Sequence, residues 1–306
     1  YLFITALFVL IFMSCQSRKK NNAEKQNEIE LVAEKQLVFP LDEQTYYLSK
    51  SMFQFEENGK EYLHFENTRK SLYDIVIFDI ENKQIAKRIP LHKTGPNGLP
   101  AVYGSRPSPD SKQILISQNN IGRLSTINNQ GEVVHNYPVK TPEGRFTTFF
   151  FCSYYNAPAF VKDSCIFLNQ GIFKPNMKRE DWPQTHMFAS QNLETGKFEW
   201  VPIFYPPIFK EEYENIDGGY GFSYDYNYKE SRLVCGFFGY DSLMVTDDLK
   251  HIRWYNAKSK YLKSMKPKLG NAMAGINSII EFCEAPMYWH IMYDKYRDVY
   301  YRFAEM

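Results

Sequence analysis

A strand–turn–strand unit recurs along this sequence, and its repetition restricts the fold more than any other feature. The clearest copy is Tyr73–Asp79, which runs through a polar turn into a second strand at residues 84–91. Apolar, β-branched and aromatic residues that lead into a polar turn are typical of a β-hairpin. Comparable hairpins lie at residues 122–137, 186–201 and 240–255. The chain is therefore predicted to be all-β, with a hairpin as its repeated element.

Another pair of strands precedes each of these hairpins, and a fifth pair is predicted at residues 288–303. Units of four strands spaced about 50 residues apart are typical of the blades of a β-propeller. We therefore predict a β-propeller of four-stranded antiparallel blades over residues 37–306. A β-sandwich with long loops is the alternative, and it does not require the unit to recur. The fifth unit ends after two strands, so we expect a C-terminal truncation; alternatively, residues 37–41 supply a closing strand.

The N-terminal residues predict export and a lipid anchor. Residues 1–14 carry no charge and are too few to span a bilayer, but they suit the apolar region of a signal peptide. Ser14 followed by Cys15 resembles a bacterial lipobox, in which Cys15 would be acylated and residues 1–14 removed. Residues 15–36 are polar and predict a flexible tether. A buried N-terminal strand is the alternative. The basic run at residues 18–20 favours a periplasm-facing anchor.

Composition and motifs exclude several function classes. The chain has 36 Lys+Arg and 35 Asp+Glu, so no broad basic surface for nucleic acid is expected. Signature motifs of zinc peptidases, nucleotide-binding loops and nucleophile elbows do not occur in the sequence. The six histidines are scattered singly, which favours packed imidazoles; a metal site assembled across blades is the alternative. We therefore predict no catalytic residues, no metal and no cofactor.

Two cysteines occupy equivalent predicted strands of neighbouring blades. Packed sheets lie ~10 Å apart, beyond the ~4.4–6.8 Å Cα separation of a disulfide. Cys165 and Cys235 are therefore predicted to be buried thiols, whereas pairing of Cys152 with Cys283 is left open.

The lengths of the connections differ systematically. The turns between first and second strands, and between third and fourth strands, are short. The second-to-third and blade-to-blade connections are predicted to be long and to share the opposite face. Long loops on a rigid scaffold commonly bind ligands, and aromatic side chains beside polar groups suit protein, peptide or glycan partners. The candidate binding residues on this face are Arg145, Tyr154, Tyr155, Asp181, Trp182, Tyr205, Tyr213 and Tyr220.

These features predict a binding or interaction scaffold attached to a membrane through Cys15. The alternative is a glycan hydrolase or lyase that uses the central funnel of the propeller. That chemistry needs two carboxyl groups that converge on one substrate. The loop acids available for it are Asp181, Glu211, Glu212 and Asp217.

Several turns and strands, together with the N-terminal region, resemble one bacterial family. They are the Gly-Pro-Asn-Gly loop at residues 95–98, the Asp-Ser turns at 110–111 and 163–164, and the late strand pair around residues 294–302. The chain resembles Bacteroidota lipoproteins of unknown function with a TolB-like, six-bladed β-propeller. The resemblance implies six blades in the full-length protein and a place in the cell envelope. It supplies no catalytic residues.

Overall fold

The computed structural model describes residues 36–45, 48–68, 73–108, 110–118, 122–139, 153–154, 157–169, 184–206, 222–262 and 287–305. The chain divides into two compact units, Tyr1–Val38 and Phe39–Met306, and every strand of the described residues lies in the second unit. The described residues contain no α-helix, in agreement with the all-β prediction.

The first blade is an antiparallel sheet with the strand order β1-β2-β3-β4. Its strands are β1 (Leu48–Glu57), β2 (Lys60–Thr68), β3 (Tyr73–Asp79) and β4 (Gln84–Pro90). Asn58 and Gly59 form the predicted first turn, with φ of 52° and 76°. Asn and Gly adopt this left-handed conformation readily, and a two-residue hairpin turn of the favoured type requires it at both positions. The pairing register of the blade is thereby fixed at its first turn.

Three further blades repeat this strand order. Their strands are β5 (Gly104–Pro107), β6 (Ile114–Gln118), β7 (Arg123–Ile127) and β8 (Val133–Pro138); then β11 (Phe160–Lys162), β12 (Cys165–Asn169), β13 (Phe188–Asn192) and β14 (Phe198–Trp200); then β15 (Phe222–Asn227), β16 (Arg232–Phe237), β17 (Ser242–Thr246) and β18 (Arg253–Asn256). A short ladder, β9 (Ser153–Tyr154) with β10 (Ala157–Pro158), precedes the third blade. A fifth sheet pairs β19 (Met287–Asp294) with β20 (Val299–Glu305).

The predicted propeller of four-stranded antiparallel blades in a ring is confirmed for four blades, and the predicted fifth pair of strands is present. The β-sandwich is excluded because the four-stranded sheet recurs along the chain.

The predicted closing strand at residues 37–41 is wrong, since residues 36–45 contain no strand. Pro40 interrupts this stretch and has no N–H to donate to a ladder. Instead, Phe39 packs on Phe78 with ring centroids 5.2 Å apart.

Alternate residues of β3 pack on opposite sides of the first blade, because side chains of a strand point to its two faces in turn. Ile75 and Ile77 join a buried cluster with isoleucines of β6 in the second blade. Val76 and Phe78 join Phe65 on the other side. Burial of each such side chain contributes about 1.5–3 kcal/mol. The third and fourth blades share a further cluster in the same way. The apolar core thus lies mainly between neighbouring blades.

The fifth sheet is held to the fourth blade by polar contacts as well as by packing. The hydroxyl of Ser223 accepts a hydrogen bond from the backbone N–H of Ile291 at 2.7 Å, and Asp225 accepts one from Tyr293 at 2.9 Å. Gly236 allows the close approach, since a Cβ at that position would lie 2.8 Å from Cγ1 of Ile291. Arg302 of β20 donates to four backbone carbonyls of the fourth blade, those of Phe237, Tyr240, Asp241 and Ala257.

The cysteine predictions are partly confirmed. Cys165 on β12 and Cys235 on β16 are free thiols on equivalent second strands. Cys235 is buried, and burial raises its pKa well above the usual value for a thiol. Cys165 is only half-buried, so the prediction that it is buried is too strong. Cys152 and Cys283 lie outside the described residues.

The predicted division into short and long connections needs two corrections. Second-to-third connections are short in three blades, at residues 69–72, 119–122 and 238–241, and long only at 170–187 in the third blade. In addition, the turn at Gly131 lies beside the connection at residues 91–103, although the two were predicted to lie on opposite faces. A Cβ at Gly131 would lie 2.0 Å from the carbonyl oxygen of Pro90, and Asn97 accepts a hydrogen bond from Val133. Each strand of a sheet is rotated by about 20–25° relative to its neighbour. The outer strands therefore run at a large angle to the first strand, and the turn between them need not lie on the same face as the first turn.

Candidate functional site

The first strands of the blades surround the axis of the ring, and the turns that follow them meet at one end of it. The first strands β1 and β5 contact each other, as do β15 and β19, and the short ladder of β9 and β10 contacts β1, β5 and β15. Tyr228, in the turn after β15, contacts both Arg106 of β5 and Val161 of β11. Lys229 in the same turn pairs with Asp298, in the turn after β19, at 3.2 Å. The prediction that the first turns share one face is therefore confirmed for these blades, and we call this face the turn end.

Ion pairs join the fifth sheet to the first blade at the turn end. Lys295 lies 2.8 Å from Glu61 and 3.3 Å from Glu56, and the hydroxyl of Tyr296 donates to Glu61. The hydrogen bond from Lys295 lowers the pKa of Glu61 and, in return, raises the pKa of Lys295. The side chains of these pairs are 32–56% exposed. Solvent therefore screens the charges, and each pair contributes only about 0–1 kcal/mol to the stability of the fold. Their effect is to hold the two turns together.

Behind these turns lies Arg106, whose residue is only 5% exposed. Its guanidinium lies 4.4 Å from the ring centroid of Phe53 on β1, and its Nη2 lies 3.4 Å from the hydroxyl of Tyr228. Its Nε is buried without a hydrogen-bond partner. No carboxylate of the described residues forms an ion pair with it. Arg106 is thus a buried cation at the axis with few acceptors.

A polar cluster lies between the first and second blades. His64 and Glu66 are alternate residues of β2 and face β5, where Nε2 of His64 lies 2.7 Å from Oγ of Ser105. Ser105 donates to Oε1 of Glu66, also at 2.7 Å. All three residues are buried, with exposures of 0–3%. We refer to His64, Ser105 and Glu66 as the polar interface.

The polar interface contains a serine, a histidine and a carboxyl group but lacks the geometry of a hydrolase. In a catalytic triad the carboxylate contacts the histidine, and the histidine accepts the serine proton. Here Glu66 contacts the serine, whose hydroxyl donates to it, so Nε2 of His64 is the donor to Ser105. Burial lowers the pKa of His64 to about 3 and raises that of Glu66 to about 7. The cluster therefore favours a neutral imidazole and a carboxyl group that retains its proton up to neutral pH.

Asp225, a half-buried acid on β15, is a second carboxyl group with a raised pKa. Burial raises its pKa to about 6, against the opposing effects of hydrogen bonds from Tyr293 and Tyr226 and of the positive charge of Arg106. Its two oxygens already accept those backbone N–H groups. Asp225 therefore anchors β19 and has no ion-pair contact with Arg106.

The structure describes only two of the predicted binding residues. Tyr154 lies in β9 and pairs with Ala157. Tyr205 is buried in the cluster shared by the third and fourth blades, with its ring packed edge-on against Phe222 at 5.7 Å, so its side chain belongs to the core and not to an exposed binding surface. The remaining candidates lie outside the described residues: Arg145, Tyr155, Asp181, Trp182, Tyr213 and Tyr220. The proposed lipid attachment site, Cys15, also lies outside them.

The acids on which the enzyme alternative depends, Asp181, Glu211, Glu212 and Asp217, lie outside the described residues as well. Within the described ranges, no group of three or more His, Cys, Asp or Glu side chains is arranged to hold a metal ion. Nor does that part of the chain include a helix of the length and hydrophobicity needed to cross a membrane.

Comparison with known proteins identifies the family. The sequence model of a protein family, a domain of unknown function called DUF4221, matches residues 28–306. The chain belongs to the DUF4221 family. A crystal structure of a DUF4221 member from Bacteroides vulgatus ATCC 8482 is 82% identical, covers 92% of this chain and 78% of its own, and superimposes with a TM-score of 0.85.

A more distant crystal structure shares the fold of this DUF4221 chain. It is a protein of Bacteroides fragilis NCTC 9343 for which export is proposed, with 10% identity, coverage of 87% of this chain and 74% of its own, and a TM-score of 0.51. None of the curated proteins compared with the chain matches it.

Sequence reasoning missed the buried charged groups of this DUF4221 domain. His64 and Glu66 flank Phe65 at alternate positions of a strand, which is also the pattern of a strand with one solvent-facing side. Arg106 stands in a strand of four residues, next to Ser105. A weak signal was present, because two ionisable residues on one face of a predicted second strand must be covered by the next blade in a propeller.

Proposed function

We propose that this protein is an exported lipoprotein of the cell envelope whose propeller binds another molecule and has no catalytic activity of its own. In this proposal residues 1–14 are the signal peptide, Cys15 carries the lipid, and residues 15–36 tether the propeller to the periplasmic side of the membrane. The propeller is TolB-like, with six blades in the full-length protein. The uncharged N-terminal run and the Ser14–Cys15 pair support the anchor.

The observation that supports a binding role is the contrast between the two ends of the ring axis. At the turn end, short turns contact one another through Tyr228, Lys229 and Lys295. The opposite end of each first strand is where a longer connection arrives, at residues 139–159, 201–221 and 257–286. Loops held on rigid strands are common binding sites. We therefore place the ligand, a protein, peptide or glycan, at the end opposite the turns.

The binding role is tested with a glycan array and an immobilised peptide library, probed with the soluble form of the protein. We expect retention on one class of probe and a loss of at least about tenfold for Trp182→Ala, since a single aromatic at the centre of an interface often contributes 2 kcal/mol or more. Trp254→Ala is the matched control, because Trp254 is exposed on the outer strand β18. Equal losses for both variants, or no retention of the wild type on either class, would reject the proposal.

The anchor is tested by fractionating cells that express the full-length protein. Cys15→Ala is expected to move the protein from the membrane fraction to the soluble envelope fraction. Cys165→Ala, which replaces a thiol on β12, is expected to leave it with the membranes. If Cys15→Ala still sediments with membranes, Cys15 is not the anchor.

A further inference from the structure

The guanidinium of Arg106 has an unusual environment for a buried charge. Burying a cation without a paired anion costs several kcal/mol. Arg106 is 5% exposed, yet among the described residues its guanidinium contacts only the face of Phe53 at 4.4 Å and, at 3.4 Å, the hydroxyl of Tyr228. Buried polar atoms are nearly always hydrogen-bonded, yet Nε of Arg106 has no partner. Within the described part of the chain, no acceptor is bonded to this atom.

Four acidic side chains near the axis and at the turn end already have partners. Both oxygens of Asp225 accept backbone N–H groups, and Glu66 accepts the hydroxyl of Ser105. Glu56 and Glu61 at the turn end are paired with Lys295. His64, which also senses the charge of Arg106, has a lowered pKa and is neutral. None of these groups provides the acceptor that Arg106 lacks.

Tyr228 adds a second donor at the same place. Its hydroxyl accepts hydrogen bonds from Nη2 of Arg106 and from the backbone N–H of Val161, at 3.4 and 3.3 Å. A phenol has one proton to donate in addition to its acceptor capacity. Tyr228 is 54% exposed, so this proton is accessible from solvent at the turn end. Donors of Arg106 and Tyr228 therefore converge beside the ring of Phe53.

We propose that Arg106 and Tyr228 form a binding site for the carboxylate group of a small acidic ligand at the turn end of the axis. The planar guanidinium fork matches the two oxygens of a carboxylate, and the Phe53 ring fixes the plane of the guanidinium. A single guanidinium that forms no ion pair with the described carboxylates fits one carboxylate. The site lies at the end of the axis away from the long connections, so it is additional to the binding role proposed above.

The test uses thermal unfolding of the full chain with glucuronate and N-acetylphenylalanine as probes, and with glucose and N-acetylphenylalanine amide as their uncharged counterparts. A ligand that binds the folded state raises the Tm as its concentration exceeds its Kd. We expect one or both acids to raise the Tm of the wild type and the neutral counterparts to leave it unchanged. The pair that responds distinguishes a sugar acid from an amino-acid carboxylate.

Two variants decide whether Arg106 and Tyr228 are responsible. Tyr228→Phe should fold normally and weaken binding about three- to tenfold, the effect of one hydrogen bond, whereas Tyr255→Phe, an exposed control on β18, should not. Arg106→Met should abolish the Tm shift while the Tm of the free protein stays the same or rises, since an unpaired buried charge is removed.

The proposal is overturned if no acid stabilises the wild type at concentrations of about 10 mM, which would limit any binding to a Kd above that range. An equal Tm shift in the wild type and in Arg106→Met would also overturn it. So would a large fall in the Tm of the free Arg106→Met protein, because the guanidinium would then be a structural group satisfied within the fold. None of these results depends on the lipid anchor or on the long-loop face.

Discussion

The interface between the first two blades and the interface between the third and fourth are both buried, but they differ in chemistry. The polar interface contains hydrogen-bonded His64, Ser105 and Glu66. The other, which we call the aromatic interface, stacks Phe160 on Tyr226 at 4.4 Å and sets Phe188 against Tyr224 at 4.9 Å. The aromatic interface gains its stability mainly from buried area and shape. The polar interface depends on every partner being present and in the correct protonation state.

The largest expected effect is at the aromatic interface. Phe160 is 2% exposed, and Phe160→Ala would remove its ring and leave a cavity, with an expected loss of about 3–5 kcal/mol in the free energy of unfolding. Urea denaturation measures the loss. Phe303→Ala is the control, because Phe303 is 40% exposed. Losses of similar size for the two variants would contradict the assignment of Phe160 to the core.

A smaller loss is expected when the polar interface loses its central hydroxyl. Ser105→Ala leaves buried Glu66 and His64 without the group that joins them, which costs about 1–3 kcal/mol. The same substitution at Ser190, a half-buried serine of β13, serves as the control and should cost less. A stability unchanged in Ser105→Ala would show that the hydrogen bonds do not contribute, and that only packing holds these blades together.

The sharpest distinction between the interfaces is their response to pH. The pKa of Glu66 is raised from 4.5 to about 7. Below pH 4.5 both the folded and unfolded states are protonated at this group; between 4.5 and 7 only the unfolded state releases the proton. Stability contributed by the neutral group is therefore lost as the pH rises through this window, by an amount on the order of 3 kcal/mol.

Glu66→Gln isolates this contribution, because the amide stays neutral. The variant should match the wild type below pH 4.5 and exceed it in stability above pH 7. The opposing change at His64, whose pKa is lowered from 6.5 to about 3, is common to both proteins and cancels in the comparison. Glu199→Gln, at an exposed position of β14, is the control. A difference between Glu66→Gln and wild type that does not vary with pH would refute the raised pKa.

The smallest effect is expected at the exposed ion pairs of the turn end. Lys295→Met removes the contacts to Glu56 and Glu61 and should lower the free energy of unfolding by at most about 1 kcal/mol, less at high salt. Lys250→Met, at an exposed lysine of the fourth blade, provides the baseline. A loss as large as that of Ser105→Ala would mean that these charges are shielded from solvent, contrary to their exposure.

The strands were largely predictable from the sequence, and the contacts between blades were not. The run Tyr73–Asp79 and the Asn58–Gly59 turn specify a local hairpin, because period and turn type depend only on neighbouring residues. Glu66 and Ser105 are separated by 39 residues, and no local pattern indicates that they meet. The closing strand at residues 37–41 was predicted from apolar content alone, which does not reveal that Phe39 packs on Phe78 as a loop.

The same distinction between local patterns and long-range contacts decides which parts of the candidate sites could be predicted. The first turns were predicted to share one face because antiparallel strands alternate in direction, and the contacts of Tyr228 and Lys229 bear this out. The twist between strands accumulates across a blade, and no sequence pattern indicates its size. The turn at Gly131 was therefore assigned to the wrong face. Arg106 was missed because its significance lies in the partners that it lacks.

The clusters that bridge neighbouring blades also determine how the protein loses its structure. Each blade is stabilised mainly by the two beside it, so its cooperativity resembles that of a one-dimensional array. Destabilising one interface would unfold the two blades beside it first. Unfolding would then spread to the next blades instead of affecting all blades at once. Amide hydrogen exchange would then show protection decreasing in steps from a disrupted interface. A substitution such as Phe160→Ala would deprotect the third and fourth blades first and the first blade last.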